Sequence, residues 1–316
     1  MANRRKIRLL AVISIILVIL FVTWGLKSSN WGYFLSKRIP KIMAIVLTGG
    51  AIGFSSLIFQ TATNNRILTP SVLGLDSLYM VIQSVAIFLL GSTSKLIVNK
   101  NINFAMTVVL MIVFSRILFR SILKKGNNNI LTLLLMGLIL GTFFQSFTSF
   151  IQMMIDPNEF LHIQDKMFAS FNNVNTEILM ISSAIILLIG FYSRKYLGIW
   201  DVLALGRDNA INLGIDYDKI IKTTFTIVSI LVSISTALVG PITFLGLLVV
   251  NLAREFLDTY EHKFLIVTSM LIAVVALVGG QLLTERIFNF GTPISVIINF
   301  IGGIYFIHLL LKEGVS

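Results

Sequence analysis

The 316 residues contain no cysteine, which removes disulfide frameworks, thiolate metal sites and cysteine nucleophiles from consideration. Charge is scarce as well. Only 12% of the chain is Asp, Glu, Lys or Arg, against 56% hydrophobic residues, too little charge for a soluble domain of this length to keep its surface hydrated. The three histidines, His162, His262 and His308, fall on separate segments with no H-E-x-x-H or carboxylate cluster to make a metal site. G-x-S-x-G is missing, so the chain does not read as a membrane enzyme. A Walker A sequence is missing too, so these residues form no Gly-rich cradle for ATP. Ionisable residues are nearly absent from the middle of the apolar runs, which argues against an ion-coupled carrier, because such carriers place charges inside the membrane.

What the chain does have is apolar runs, from end to end. A helix needs about 20 residues to cross the hydrocarbon core, and ten segments approach that length: Leu9 to Leu26, Ile42 to Thr63, Val72 to Gly91, Ile102 to Leu123, Ile130 to Ile155, Ile178 to Tyr192, Ile220 to Val239, Ile242 to Ala253, Phe264 to Leu283 and Ile294 to Leu311. Two are short, and Ile242 to Ala253 needs extension by its neighbours, a tilt, or a partly re-entrant path. The sequence therefore predicts an all-α polytopic integral membrane protein with a single transmembrane domain over 1–316. The basic start, Arg4-Arg5-Lys6, precedes an apolar run too long for a typical signal core, with no small-x-small cleavage pattern after it. It reads as a first span.

The formal charge of +11 does not indicate nucleic acid, because the basic residues are scattered between apolar runs and form no basic and aromatic surface. Roughly two-thirds of the Lys and Arg fall on one side when the amino end is placed in the cytoplasm, as the positive-inside rule requires. Both termini are then expected in the cytoplasm. Arg38, Lys41, Lys166 and Arg286 fall outside, and the polar loop 194–218 falls inside. A short helix is expected around Phe160 to Phe168 in the outer loop. The glycines Gly49, Gly50, Gly53, Gly137 and Gly141 are expected to let helices approach closely.

Within the inner loop, Asp208 is placed to cap a brief helix through Asn209, Ala210, Ile211, Asn212 and Leu213, which Gly214 ends in the left-handed conformation. A stubby helix between Gly206 and Gly214 is the implied object. Its apolar residues Ala210, Ile211 and Leu213 suit a groove on a soluble partner, or an ordinary interfacial helix.

This loop carries a resemblance. Ala204-Leu205-Gly206-Arg207-Asp208-Asn209-Ala210-Ile211-Asn212-Leu213-Gly214 resembles the L-G-E-x-A-x-x-L-G form of the coupling motif in the FecCD family of iron-siderophore and vitamin B12 permeases, with Arg207 in place of Glu. Arg38-Ile39-Pro40-Lys41 resembles the family's R-x-P-R. Gly240 to Arg254 resembles G-x-I-x-F-V-G-L-x-x-P-H-x-x-R, with Val250-Asn251 replacing Pro-His, and Thr292-Pro293-Ile294 with Gly302-Gly303 resembles the closing span. The run Asn64 to Tyr79 is similar to a branch associated with catecholate siderophores.

The resemblance implies a permease of the vitamin B12/FecCD-type importer fold, not an enzyme, in the cytoplasmic membrane. It implies no cofactor bound by this chain, with ATP and Mg used by partner ATPase subunits. A second permease subunit, more often a different one than a second copy, a substrate-binding lipoprotein and a ferric siderophore as cargo complete the set. Residues 204–210, 213 and 214 are implied as the ATPase-coupling surface, and Arg38, Lys41 and Arg286 as the lipoprotein-docking surface. Phe143, Phe144, Gln145, Phe168 and Phe171 are candidates for the translocation pathway. Vitamin B12, haem or a metal ion are alternative cargoes on the same architecture.

Overall fold

The computed structural model describes residues 2–25, 31–125 and 130–313; Leu26, the expected end of the first span, and Lys27 lie outside them. Described residues form helices and connections, with no strand among them. The first helix, α1 (Ala2–Thr23), leads to α2 (Trp31–Ala62), which runs through the centre of the bundle. A π-helical turn (Ser71–Leu75) opens directly into α3 (Asp76–Leu90). The short α4 (Lys95–Val98) precedes α5 (Lys100–Lys125), α6 (Ile130–Met154) and the outer-loop helix α7 (Pro157–Met167). Asp156 caps α7 by accepting from the Asn158 amide, with Pro157 at the first helical position, where its missing N–H is harmless.

The span predicted as short, Ile178 to Tyr192, belongs to α8 (Thr176–Ser193), which continues through a 3-10 turn into α9 (Leu197–Leu203). The apolar stretch is therefore ample for crossing. After α9 come α10 (Arg207–Asn212), α11 (Tyr217–Val239), α12 (Leu245–Phe256), α13 (His262–Arg286) and α14 (Ile294–Glu313).

Among the described residues, eight helical segments are long and apolar enough to cross a membrane, and the apolar stretch Ile294–Leu309 of α14 is shorter. The expectation of ten full helical spans is thus not met by length alone. The tenth candidate, Ile242 to Ala253, resolves into a non-helical stretch from Gly240 to Phe244 followed by α12, only 12 residues long, or about 18 Å of helix at 1.5 Å per residue. Gly240 makes the turn into this stretch at φ +99°, with no room for a Cβ beside Phe168 O and the Ala169 backbone.

Helices pack closely where glycine removes the side chain. A Cβ on Gly53 of α2 would stand 2.9 Å from Ser269 O of α13, and one on Gly74 would stand 2.8 Å from Gly141 Cα of α6. This is how the small-residue signal becomes contact in a bundle whose solvent gives no hydrophobic drive for association. Two ends of the bundle follow from the cross-links. Lys41–Glu285 and Arg286 to Trp24 O lie at one end, and Lys6–Asp258 and His262–Asp201 at the other.

Candidate functional site: two ends of a helical bundle

The loop after α8 is built onto a rigid platform. Trp200 of α9 is fully buried, packs edge-on to Phe54 of α2 at 5.7 Å, and donates its indole N–H to Thr224 Oγ1 of α11 at 3.0 Å. Asp201, the next residue, accepts from both the backbone N and Nδ1 of His262 at 2.7 Å. On the other side of the ring, His262 Nε2 lies 2.7 Å from Thr61 Oγ1 of α2. One short helix is thereby fastened to α2, α11 and α13.

From this platform α10 projects. Gly206 sits at φ +94° before it and Gly214 at φ +81° after it, and a Cβ on either would meet nothing within 4 Å. Their conformation is what demands glycine, since positive φ costs other residues about 1–3 kcal/mol. The helix begins at Arg207, with Gly206 in the cap position and no side-chain cap, so Asp208 lies in the first turn and is not the cap. Asn209 Nδ2 instead ties the helix back to Leu205 O at 2.8 Å.

The expected docking face also changes. Ala210 is 0% exposed and belongs to the core of this chain, whereas Leu205 at 58%, Ile211 at 47% and Leu213 at 63% point away from it. Helical spacing explains the difference. Ala210 faces the bundle because it is the small residue beneath the turn, and the bulkier neighbours are left outside. Arg207 stands over the Tyr217 ring at 5.6 Å, at the start of α11.

At the opposite end the three predicted cations gather around one spot. Arg38 Nη1 donates to the carbonyls of Phe21, Val22 and Trp24 at 3.1, 2.8 and 2.8 Å, while Arg286 Nη2 donates to Trp24 O at 2.8 Å. These carbonyls close α1, where the helix leaves acceptors without internal donors. Arg38 is therefore turned inward and nine-tenths buried, not presented on the outer surface. Lys41 is paired with Glu285 at 2.6 Å. The resemblance assigns these three residues to one docking surface; the structure places them at one end of the bundle and supplies each with a partner inside the chain.

The pathway candidates divide. Phe143, Gln145, Phe147 and Phe150 are exposed on α6, interleaved with Thr142, Ser146 and Ser149, and Phe143 stacks on Phe147 at 6.3 Å. Phe144 packs partly against the core. Phe171 is buried, and Phe168 and Phe171 both line a cavity on the Arg286 side.

Two features escaped the sequence reading. Asp76 is buried where the π-turn meets α3, accepting from Thr243 Oγ1 at 2.8 Å and Ser71 Oγ at 3.3 Å. Thr243 lies 167 positions away in the non-helical stretch before α12, so no local pattern announces the pair. The Asp201–His262–Thr61 chain is hidden for the same reason.

Comparison with known proteins places this geometry. The model of the FecCD transport family matches residues 5–312. The petrobactin import system permease protein YclO of Bacillus subtilis is 59% identical over 316 residues, covering all of both chains. The petrobactin import system permease protein FatC of Bacillus anthracis is 33% identical over 277 residues, covering 88% of this chain and 78% of FatC. Among solved structures, an inward-facing one assigned to a metal-chelate type ABC transporter superposes with a TM-score of 0.84 at 21% identity, covering 98% of this chain and 99% of that one. That last likeness establishes the fold.

Proposed function

Because the chain belongs to the FecCD transport family, we propose that it is the membrane-spanning permease of an ABC importer for a ferric siderophore, with petrobactin as the cargo. The 59% identity to YclO over the full length of both chains supports the cargo. The end bearing α10 faces the cytoplasm and the end bearing Arg38 and Arg286 faces outward, as the distribution of Lys and Arg suggests.

A single observation carries the mechanism: a six-residue helix bounded by two glycines at positive φ, together with the residues flanking it, exposes Leu205, Ile211 and Leu213 from a platform fastened to three spans. An apolar surface so small and so firmly mounted suits a groove on a soluble ATPase. Closure of the ATPases on ATP and Mg pushes α10, and the platform passes that displacement to α2, α11 and α13 as a rigid body. This chain itself hydrolyses nothing.

The exposed α6 face faces the pathway and a second permease subunit, a different chain in preference to a second copy. Phe143, Phe147 and Phe150 are at home in lipid, but Thr142, Gln145, Ser146 and Ser149 beside them are not. A mixed face of this kind fits a wall against which a large, partly apolar chelate slides. The outer lipoprotein docks around the cluster of Arg38, Lys41 and Arg286; with Arg38 committed to α1, its acidic side chains meet the rim.

Uptake of ⁵⁵Fe-petrobactin tests the proposal, first in a deletion strain carrying this permease with its ATPase, lipoprotein and sister permease, then in proteoliposomes. Uptake that needs ATP and ceases on substitution of Leu205 and Leu213 by Asp is the expected result. Uptake without ATP, or import of haem or vitamin B12 in its place, rejects it.

A further inference from the structure

At the Arg286 end, a cavity of about 760 Å³ opens between α3, α5, α7 and the turn joining α13 to α14, within the size range of small-molecule sites. Its polar lining is rich in hydrogen-bond donors. Lys166 reaches it from α7, Lys100 and Asn103 from α5, and Gln281 and Thr284 from α13.

Lys166 Nζ donates to Gln83 Oε1 at 2.6 Å and Asn103 Oδ1 at 3.4 Å, two neutral amide oxygens. Gln83 Nε2 also donates to Asn103 Oδ1 at 3.3 Å, so the acceptor end of the Asn103 amide is occupied. Its donor end, Nδ2, has no hydrogen-bond partner, nor has Thr284 Oγ1, and both residues are more than nine-tenths buried. A buried donor left unmatched costs about 1–3 kcal/mol. The one acid among the lining residues is Asp165, which is exposed on the same helix. The lining amides offer acceptors as well as donors, but the site is short of negative charge, with Lys100 and Lys166 set against a single acid.

We propose that this cavity binds a carboxylate-bearing anion, held by Lys166 and Asn103, and that it receives an anionic arm of the iron chelate at the outer mouth of the permease. The second half of that statement rests on the import reading above. A carboxylate brings two acceptor oxygens, enough for an ammonium and an amide N–H together, and the volume leaves room for a polycarboxylate or chelate behind it.

Titration supplies a signature. Burial holds the Lys166 ammonium down to about 8 from its ordinary 10.5. The charged and titratable groups facing it are Lys100 on α5, Tyr79 on α3 and Asp165 on its own helix; α13 contributes neutral Gln281 and Thr284, and Glu285 behind Gln281 is taken by Lys41. Anion affinity is therefore strongest below pH 8 and declines as Lys166 loses its proton.

The test is equilibrium binding of ¹⁴C-citrate to the assembled transporter in nanodiscs, alongside ⁵⁵Fe-petrobactin uptake by the same preparation in proteoliposomes. Wild type is expected to bind saturably, K166M and N103L at least tenfold more weakly, and K166R within about threefold of wild type. Wild-type affinity falls between pH 7 and 9.5, while that of K166R stays level because a guanidinium keeps its charge. Absence of citrate binding, equal binding by wild type and N103L, or the same pH decline in K166R each overturns the proposal. Persistent uptake in those cases leaves the import reading intact, whereas wild type that binds citrate but imports no iron chelate overturns that reading and the chelate-arm half of the proposal, with the anion site standing. Weakened lipoprotein docking with unaltered citrate binding in K166M would assign the cavity to a lipoprotein side chain and reject the small-anion site.

Discussion

His262 Nδ1 lies 2.7 Å from Asp201 Oδ1 while Nε2 of the same ring lies 2.7 Å from Thr61 Oγ1, so one buried imidazole fastens the platform of α10 to the central helix α2. Thr61 Oγ1 also reaches Leu57 O at 3.0 Å, so both ring nitrogens and the Thr61 hydroxyl have partners. A satisfied network of this kind transmits displacement without slack.

Replacing His262 by Ala, or Asp201 by Asn, is expected to leave membrane insertion unchanged and to lower uptake at least about tenfold. Hydrogen bonds to charged groups contribute about 1.5–3 kcal/mol, enough to loosen the platform without unfolding the bundle. ATPase activity that continues while uptake falls is the measurement; coupled wild-type rates in both variants would show that the ring is not part of the transmission.

Two glycines should behave oppositely. Gly206→Val meets no neighbour and only strains the backbone at φ +94°, so the protein folds and ATP hydrolysis uncouples from uptake. Gly53→Val strikes Ser269 O, at 2.9 Å already from a bare Cβ, and is expected to abolish accumulation in the membrane. Expression level and uptake per molecule of permease separate the two outcomes.

The Lys41–Glu285 pair is mostly withdrawn from solvent, at 14% and 10% exposure. Lys41→Met strands Glu285 with only Gln281 at 2.9 Å and should cost about 3–5 kcal/mol, as the breaking of buried pairs does. Lys41→Met with Glu285→Gln is expected to recover most of that loss. Thermal unfolding of the four proteins in nanodiscs closes the cycle.

Stability should also carry the mark of Lys166. Its folded value of about 8 lies below the unfolded 10.5, so between those values the unfolded chain holds more protons and stability rises with pH. The penalty of burying the ammonium is complete below pH 8 and relieved as pH climbs toward 10.5. The difference in unfolding temperature between wild type and Lys166→Met, measured from pH 7 to pH 10, is expected to shift in favour of wild type across that window.

Much of this protein is written in periodicity and punctuation that act over short range. Apolar runs specified the spans because each helix must satisfy its own backbone inside a membrane, and Gly206 and Gly214 marked α10 because left-handed φ excludes most other residues. That Arg38, Lys41 and Arg286 fall on the same side was legible from the distribution of Lys and Arg between the spans. Tertiary structure alone decided the rest. It turned Arg38 inward onto the last carbonyls of α1, buried Ala210 in place of a docking face, and brought Asp76 to Thr243 and Asp201 to His262. Those pairings join residues 61 to 167 positions apart, and which distant side chain satisfies a buried polar atom depends on how whole helices pack, which no local spacing encodes.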